Sequence, residues 1–206
     1  MGKINQKTLH YVNYDVNLEK FLRRMQLFDK TKHLKRWIDD AKGGDPKAQR
    51  SIYDMLSSKM YAVCLRYMGN RDLAGDVFQD AFVTLFSKLD TYSGEGSFEG
   101  WARRIFVNTA LMSLRKKDIM DGTEDIEQAF GVSYEGMDAI QSMNYNELLE
   151  LVSELPTGFR TVFNMYVVEG YSHKEIGQKL GIEEATSRSQ LQRARMLLQE
   201  KIRKRK

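Results

Sequence analysis

The chain has 206 residues, of which 42% are hydrophobic and 29% charged, and its formal net charge is +4. This composition is typical of a globular protein. The single cysteine, Cys64, excludes an internal disulfide framework and a cage of thiolate ligands, and the three histidines lack metal-ligand spacing. No hydrophobic run approaches the roughly 20 residues of a membrane span, and no signal peptide opens the chain. We therefore expect a soluble cytoplasmic protein with no cofactor, no metal and no membrane insertion.

Charge is distributed unevenly along the chain. Residues 1–117 carry 21 basic and 13 acidic side chains (+8), residues 118–155 carry none and 10 (−10), and residues 156–206 carry 11 and 5 (+6). Two basic blocks around an acidic segment favour a polyanion-binding protein with a solvated linker. Small domains can differ in charge by chance, so this pattern alone does not specify nucleic acid.

The first basic block has helical periodicity. Residues 1–30 are polar and form an N-terminal extension, with a possible short helix over 18–28. Asp45 and Pro46 are typical of an N-cap followed by a first helical turn. A glycine-rich polar loop follows at 92–97, where no periodicity is seen. The hydrophobic spacing predicts helices over 34–41, 46 to about 69, 72–89 and 98–117.

The second half of the chain begins with an acidic, weakly periodic segment, residues 118–143, which we interpret as a linker. Periodicity restarts at Asn144, breaks at Pro156 and ends again at Gly170. The predicted fold is all-α, with two small helical bundles joined by the acidic linker. The second bundle contains a helix-turn-helix.

The helix-turn-helix lies in S-H-K-E-I-G-Q-K-L-G-I-E-E-A-T-S-R-S-Q-L-Q-R-A-R, residues 172–195. Ser172 and Glu175 have capping-box spacing, and Gly181 supplies the turn. The second helix is predicted to bury Ser187, Leu191, Ala194 and Leu198. Its opposite side carries Thr186, Ser189, Gln192 and Arg193, flanked by Arg188 and Arg195. Gln and Arg on an exposed helix suit base contacts in the major groove, although a structural hairpin with a solvated basic face has the same pattern.

Two further helices have distinctive polar faces. The helix over 72–89 presents an acidic stripe, which suggests a protein partner with a basic surface, although solvated helix faces are commonly acidic too. The helix over 98–117 places four exposed candidates on one face at spacings of four, four and three. The acidic stripe comprises Asp72, Asp76, Gln79, Asp80 and Val83, and the second face comprises Arg104, Asn108, Met112 and Arg115.

Four stretches together resemble the extracytoplasmic-function sigma factors, a two-domain group of bacterial transcription initiation factors. They are D-L-A-G-D-V-F-Q-D-A-F-V-T-L-F, S-F-E-G-W-A-R-R-I-F-V-N-T-A, L-P-T-G-F-R-T-V-F and the helix-turn-helix, in that order. The resemblance covers roughly residues 31–206. It implies an N-terminal extension at 1–30, a sigma region 2 domain at 31–117, an acidic linker at 118–143 and a sigma region 4 domain at 144–206.

The resemblance implies a protein that binds core RNA polymerase and promoter DNA and is not an enzyme, with an anti-sigma factor as a further candidate partner. The residues matching the helix that docks on core polymerase are Asp76, Gln79, Asp80 and Phe82. Those matching minus-ten contacts are Arg104, Asn108 and, as a departure from the usual polar residue, Met112. The loop at 92–97 matches one that captures a flipped base. Those matching minus-thirty-five contacts are Arg188, Ser189, Gln190, Gln192 and Arg193.

Two features separate this chain from the usual family pattern. Ser187 stands where many members have a hydrophobic residue, and Ala185 where many have glycine. These departures leave the fold intact but bear on which promoter bases are recognised. We also expect the acidic linker to compete with DNA for the two basic domains in the free protein, because exposed charges interact within a Debye length of ~8 Å.

Two other classes of protein share part of this pattern. A stand-alone helix-turn-helix regulator would need a dimerisation surface near the C-terminus, where the basic tail 201–206 offers none. A helical enzyme would need a catalytic constellation, but the acidic pairs Asp39-Asp40 and Glu183-Glu184 are adjacent residues whose side chains diverge.

Overall fold

The computed structural model describes residues 33–121 and 145–205, and within these ranges every regular element is helical, as predicted. The predicted helix at 18–28 and the linker residues 122–143 lie outside the described residues. The helices are α1 (33–42), α2 (Pro46–Met68), α3 (Arg71–Ser87), α4 (Phe98–Asp121), α5 (Tyr145–Ser153), α6 (Thr157–Phe163), α7 (His173–Leu180) and α8 (Glu184–Arg205). A 3₁₀ turn (Leu89–Thr91) follows α3, and a π-helical turn (Asn164–Val168) follows α6.

The chain divides into two compact units, with the boundary between Met55 and Leu56. In the first unit, α1 ends at a glycine turn and Asp45 begins α2. The Asp45 carboxylate accepts hydrogen bonds from two backbone N–H groups of the first helical turn, each at 3.2 Å. Pro46 occupies the first helical position, where its missing N–H costs no hydrogen bond. The predicted stop and restart of the helices are therefore confirmed.

In the second unit, α3 and α4 pack through an aromatic cluster. The ring of Phe82 lies edge-on to Phe78 and Phe106, with centroid distances of 4.9 and 5.0 Å. Edge-to-face geometry at this distance adds to the stabilisation from burial. The sequence placed the ends of these helices imprecisely: α3 stops at Ser87 because the chain tightens into the 3₁₀ turn, and α4 continues to Asp121.

The C-terminal helices share a second core, in which α5 and α6 pack against α8. Ion pairs join the end of α5 to α8 beside this core. The Glu154 carboxylate accepts hydrogen bonds from Lys201 at 2.6 Å and from Arg205 at 3.0 Å. The hydrogen bond from Lys201 lowers the pKa of Glu154. The core consists of Leu151, Val152, Leu155, Ala194, Leu198 and Ile202, with Leu148, Phe159, Phe163 and Leu197 partly buried against it.

The helix-turn-helix forms as predicted. Ser172 and Glu175 make a reciprocal capping box at the start of α7, and Gly181 ends the helix in the left-handed conformation, with φ of 73°. Gly177 lies where α7 meets the chain that leads into α8. A Cβ at this position would come within 2.7 Å of the Ile182 carbonyl oxygen, which is backbone and cannot move aside cheaply.

We predict that Gly177→Ala destabilises the protein by ~1–3 kcal/mol, because the added methyl group overpacks the turn against a backbone atom. Gly75→Ala is the matched control: Gly75 is also helical, but a Cβ there meets no atom within 4 Å. It should raise the free energy of unfolding by ~0.5–1 kcal/mol, as alanine does in helix interiors. Urea unfolding followed by circular dichroism measures both. Equal effects of the two substitutions would contradict the close approach at Gly177.

Candidate functional site

The acidic stripe of α3 faces solvent. Asp76, Gln79 and Asp80 are all exposed, and they lie on adjacent turns of one helix face. Val83 continues the stripe and is 71% exposed. A hydrophobic side chain at the end of an acidic surface fits a partner that combines basic groups with a hydrophobic contact.

Phe82 lies on the other side of α3. Only 5% of it is exposed, and its ring packs against Phe78, Phe86 and Phe106. The structure therefore does not bring Phe82 together with the three exposed residues. Any contribution it makes to a docking surface comes through holding α3 in place on α4.

The polar face of α4 is also exposed as expected. Arg104, Asn108 and Arg115 are open to solvent, and Met112 is 69% exposed. The opposite face is buried, with Ala102, Phe106 and Ala110 fully enclosed. One helix thus has a hydrophobic side that fixes its position and a polar side that is free to bind.

The loop at 92–97 is held at both ends. The Tyr92 hydroxyl donates a hydrogen bond to the Gly96 carbonyl oxygen at 3.0 Å, and its ring lies 5.4 Å from that of Trp101. At the other end, the Ser97 hydroxyl accepts a hydrogen bond from the Gly100 N–H at 3.3 Å, inside the first turn of α4. Residues 93–97 between these anchors are exposed. The loop therefore presents an open surface from a defined position beside the α4 face.

The second helix of the helix-turn-helix, α8, buries one side and exposes the other. Arg188, Ser189 and Gln192 are exposed, and Arg193 is partly buried. Arg188 forms an ion pair with Glu184 one turn earlier, and the Ser189 hydroxyl donates to the Thr186 carbonyl oxygen. The buried side comprises Ser187, Leu191, Ala194, Leu198 and Ile202, which confirms the predicted orientation.

Gln190 does not share that exposed face. A Cβ on Gly158 of α6 would lie 3.5 Å from both polar atoms of the Gln190 amide. The side chain is partly buried and lies against α6. Of the five candidates on α8, four are therefore available on the outer side and Gln190 is turned toward the neighbouring helix.

Ser187, the polar residue at an otherwise hydrophobic position, has a hydrogen-bond partner. Its hydroxyl lies 2.9 Å from Nδ1 of His173, and the His173 ring stacks on Tyr166 with a centroid distance of 4.4 Å. Burial lowers the pKa of His173, and the neighbouring Arg188 adds to this effect. The paired hydroxyl explains how α8 accommodates serine in its buried side.

A group of polar residues that no sequence pattern predicts is buried between the helices. The Arg160 guanidinium, 7% exposed, donates from Nε to the Tyr67 carbonyl oxygen at 3.0 Å and from Nη2 to that of Met68 at 3.1 Å. Its Nη1 donates to the carbonyl oxygens of Ser153 and Leu155, at 3.0 and 2.8 Å. One side chain thus satisfies helix-end carbonyls of both α2 and α5.

Two more residues of the same segment reach α2 and α4. The Asn164 side chain donates to the Arg66 carbonyl oxygen at 2.9 Å. The Glu169 carboxylate, 7% exposed, accepts from Arg66 at 3.0 Å and from Arg103 at 3.4 Å. We call Arg66, Arg103, Arg160, Asn164 and Glu169 the interhelix polar network. Sequence patterns carry no signal for it, because Arg, Asn and Glu are usually exposed in helices.

Two family models match this chain, one in its N-terminal part and one in its C-terminal part. Residues 52–119 match the family model "Sigma-70 region 2", which spans α2 from residue 52, all of α3, and α4 as far as residue 119. Residues 145–198 match "Sigma-70, region 4", which spans α5 to α8 as far as residue 198. We call these segments region 2 and region 4.

Proteins that are similar over most of the chain also belong to the sigma factors. The ECF RNA polymerase sigma factor SigW of Bacillus subtilis is 29% identical over 181 residues, which cover 82% of this chain and 97% of SigW. The ECF RNA polymerase sigma-E factors of Haemophilus influenzae and Escherichia coli are each 26% identical over 176 residues. These cover 80% of this chain and 93% or 92% of the relative.

Proposed function

We propose that this chain, which belongs to the extracytoplasmic-function group of sigma-70 factors, binds core RNA polymerase, directs it to specific promoters and helps to open the DNA. The observation that carries the proposal is the occurrence of region 2 and region 4 in order, each with a helix face left exposed for binding. The matches to the relatives cover 82% and 80% of this chain and therefore include parts of both regions, which favours this function over that of a stand-alone helix-turn-helix regulator.

The polymerase surface that we assign to region 2 is the acidic stripe of α3. Asp76, Gln79 and Asp80 are exposed together, and the adjacent Val83 supplies hydrophobic contact. Complementary charge speeds association and selects the partner more than it adds affinity. The stripe is acidic within a basic block, so it suits a basic protein surface and would repel DNA.

The minus-ten surface that we assign comprises the exposed face of α4 and the loop at 92–97. Arg104 can contact phosphate or base, Asn108 can donate and accept hydrogen bonds, and the exposed Met112 can pack against an unstacked base. Removing a base from the stack costs a few kcal/mol, which pocket contacts can recover. A loop anchored at Tyr92 and Ser97 is suited to such a pocket.

The minus-thirty-five surface that we assign is the outer side of α8. Arg193 and Gln192 have the side chains that recognise guanine and adenine in the major groove, while Arg188 and Arg195 are placed to hold phosphates. Gln190 contributes to packing on α6 in the described structure and is a weaker candidate for base contact.

The bond chemistry of transcription would belong to the polymerase, and the chain itself would act by binding alone. Its partners and its DNA target place its action in the cytoplasm. An anti-sigma factor remains a candidate partner through the family resemblance. None of the described helices is long and hydrophobic enough to cross a membrane.

The direct test is transcription in vitro with purified core polymerase on a library of genomic fragments. The proposal expects start sites that share spaced minus-ten and minus-thirty-five sequences and that depend on this protein. If the protein fails to direct initiation with core polymerase of its own organism, the proposed function is wrong.

We predict that replacing Asp76 and Asp80 by lysine abolishes co-purification with core polymerase, because the reversed charges would face a basic partner surface. The helix content should not change, since both side chains are exposed. The control is the double variant Asp39→Lys, Asp90→Lys, which makes the same change in net charge at exposed positions that are not part of the stripe. Retention of both double variants at wild-type levels in moderate salt would contradict the docking assignment.

Substitutions on α8 should separate base recognition from phosphate binding. Arg193→Ala is expected to cost ~1–3 kcal/mol of discrimination at one minus-thirty-five position. Arg195→Ala should instead weaken binding to all sequences alike and reduce the salt dependence by about one phosphate contact. Fluorescence anisotropy with duplexes carrying each single base change, at several salt concentrations, measures both effects. If both variants lose affinity in the same way across the base changes and salt concentrations, Arg193 and Arg195 do not have different roles.

Arg104→Ala and Asn108→Ala should slow promoter opening and leave minus-thirty-five binding intact, because these residues belong to the other module. Permanganate footprinting of the polymerase complex over time detects the unpaired thymines. The control for loss of charge alone is Lys116→Ala, because Lys116 is an exposed basic residue toward the C-terminal end of α4. Normal opening by both test variants would exclude them from the minus-ten surface.

A further inference from the structure

We propose that His173, through its hydrogen bond to Ser187, is a positioning residue for recognition of the minus-thirty-five element. The bond fixes the rotation of α8 about its own axis and therefore determines which bases Gln192 and Arg193 reach. This inference rests on the proposed function, because it concerns the specificity of the surface that we assign to α8. His173 itself lies in α7 and is not among the residues that we assign to DNA contact.

The first two turns of α8 are anchored by a polar side chain. Among residues 184–190 only Ser187 is buried, with 0% of it exposed, and the hydrophobic row that holds the rest of the helix starts at Leu191. Hydrophobic burial is non-directional, whereas a hydrogen bond fixes both the distance and the direction of its partner. The part of α8 that carries Arg188 and Ser189 is therefore oriented largely by the bond that Ser187 makes.

The His173 ring offers Ser187 a partner at a defined position. The capping box fixes the start of α7: the Ser172 N–H donates to the Glu175 carboxylate at 2.8 Å, and the Glu175 N–H donates to the Ser172 hydroxyl at 3.3 Å. The His173 ring also stacks on Tyr166 of the π-helical turn, with 4.4 Å between centroids and 20° between the ring planes. Nδ1 of this ring then lies 2.9 Å from the Ser187 hydroxyl oxygen.

The groups around His173 favour its neutral form. Burial lowers the pKa of this imidazole, and two basic residues of α8, Arg188 and Arg195, add to the effect. Glu184 of the same helix opposes it. The ring is therefore uncharged at neutral pH, and its bond to Ser187 joins two neutral groups. Replacing His173 by another uncharged residue leaves the charge of the DNA-binding side unchanged at pH 7.

A rotation of α8 would be transferred directly to the side chains that we assign to base contact. With about 3.6 residues per turn, Gln192 and Arg193 lie about 140° and 120° from Ser187 in opposite senses. A rotation of ~20° would move a group 5–6 Å from the helix axis by about 2 Å. Hydrogen-bond lengths vary by only about 0.5 Å, so the bond to His173 limits the rotation to roughly 5°. Without it, α8 could turn by more than a base contact tolerates.

Two substitutions at position 173 separate the hydrogen bond from the ring. His173→Phe keeps an aromatic ring for stacking on Tyr166 but loses Nδ1. His173→Asn loses the ring but keeps polar atoms bonded directly to Cγ, as Nδ1 is, and so can still bond Ser187. Ser187→Ala removes the bond from the α8 side. The control is Thr161→Val, which removes a buried hydroxyl that bonds the Thr157 carbonyl oxygen within α6.

The test measures binding of the full chain, in complex with core polymerase, to promoter duplexes that carry each single base change in the minus-thirty-five element. Discrimination is the ratio of the affinities for the best and the changed sequence. His173→Phe and Ser187→Ala should reduce it by ~5-fold or more at one or two positions, since one good base contact is worth ~5- to 150-fold. The double variant should lose no more than either single variant, because both remove the same bond. His173→Asn and Thr161→Val should keep the wild-type ratio.

A second measurement follows α8 without polymerase or DNA. The Ser187 N–H donates to the Glu183 carbonyl oxygen at 3.1 Å, so its exchange with solvent reports opening of the first turn. Hydrogen exchange of the amides of residues 187–190 should be ~5-fold faster or more in His173→Phe, because a buried hydroxyl is left unpaired. It should stay at the wild-type rate in His173→Asn. Circular dichroism at the same temperature checks that every variant is folded.

The outcomes separate this proposal from the proposed function. Lower discrimination and faster exchange in His173→Phe and Ser187→Ala, with wild-type behaviour in His173→Asn and Thr161→Val, support it. Wild-type discrimination in His173→Phe, or an equal loss in His173→Asn, would overturn it, because the bond would not be what positions α8. If the wild-type complex prefers no minus-thirty-five base, the proposed function is wrong, and the exchange rates alone decide whether His173 anchors α8.

Discussion

The buried guanidinium of Arg160 is the interaction on which the arrangement of the C-terminal helices and α2 depends. A charge that leaves water needs compensation, and Arg160 obtains it from four backbone carbonyl oxygens at the ends of α2 and α5. Burial lowers the pKa of Arg160, but a guanidinium stays protonated at neutral pH. Glycine at position 69 leaves room for it, because a Cβ there would lie 2.6 Å from Arg160 Nη1 and 2.8 Å from the Ser153 carbonyl oxygen.

Each of the exposed surfaces lies on a helix whose opposite side is buried and fixes the orientation of the helix. In α3 the cluster around Phe78 and Phe82 fixes the rotation of the helix, which leaves Asp76 and Asp80 outside. In α8, the buried row around Leu191 and Ala194 does the same for Gln192. The residues that we assign to binding are thus positioned by buried side chains, so that substitutions in the cores would move the surfaces indirectly.

Two DNA-binding regions on one chain gain affinity when the polymerase fixes their separation, since the second contact becomes intramolecular. The acidic linker would oppose DNA binding by competing with phosphates for the basic domains. The linker residues 122–143 lie outside the described residues, so masking by the linker stays a prediction.

The sequence by itself determined the helical fold, the capping box at Ser172, the turn at Gly181 and the exposed faces of α3, α4 and α8. These follow from local periodicity and from backbone rules that act over a few residues. It could not determine that Phe82 and Gln190 face neighbouring helices, or that Arg160 and Glu169 are buried. Phe82 packs on Phe106 of α4, and Gln190 lies against Gly158 of α6. Arg160 and Glu169 are bound to groups 93 and 103 residues away in the chain, and only tertiary structure brings such partners together.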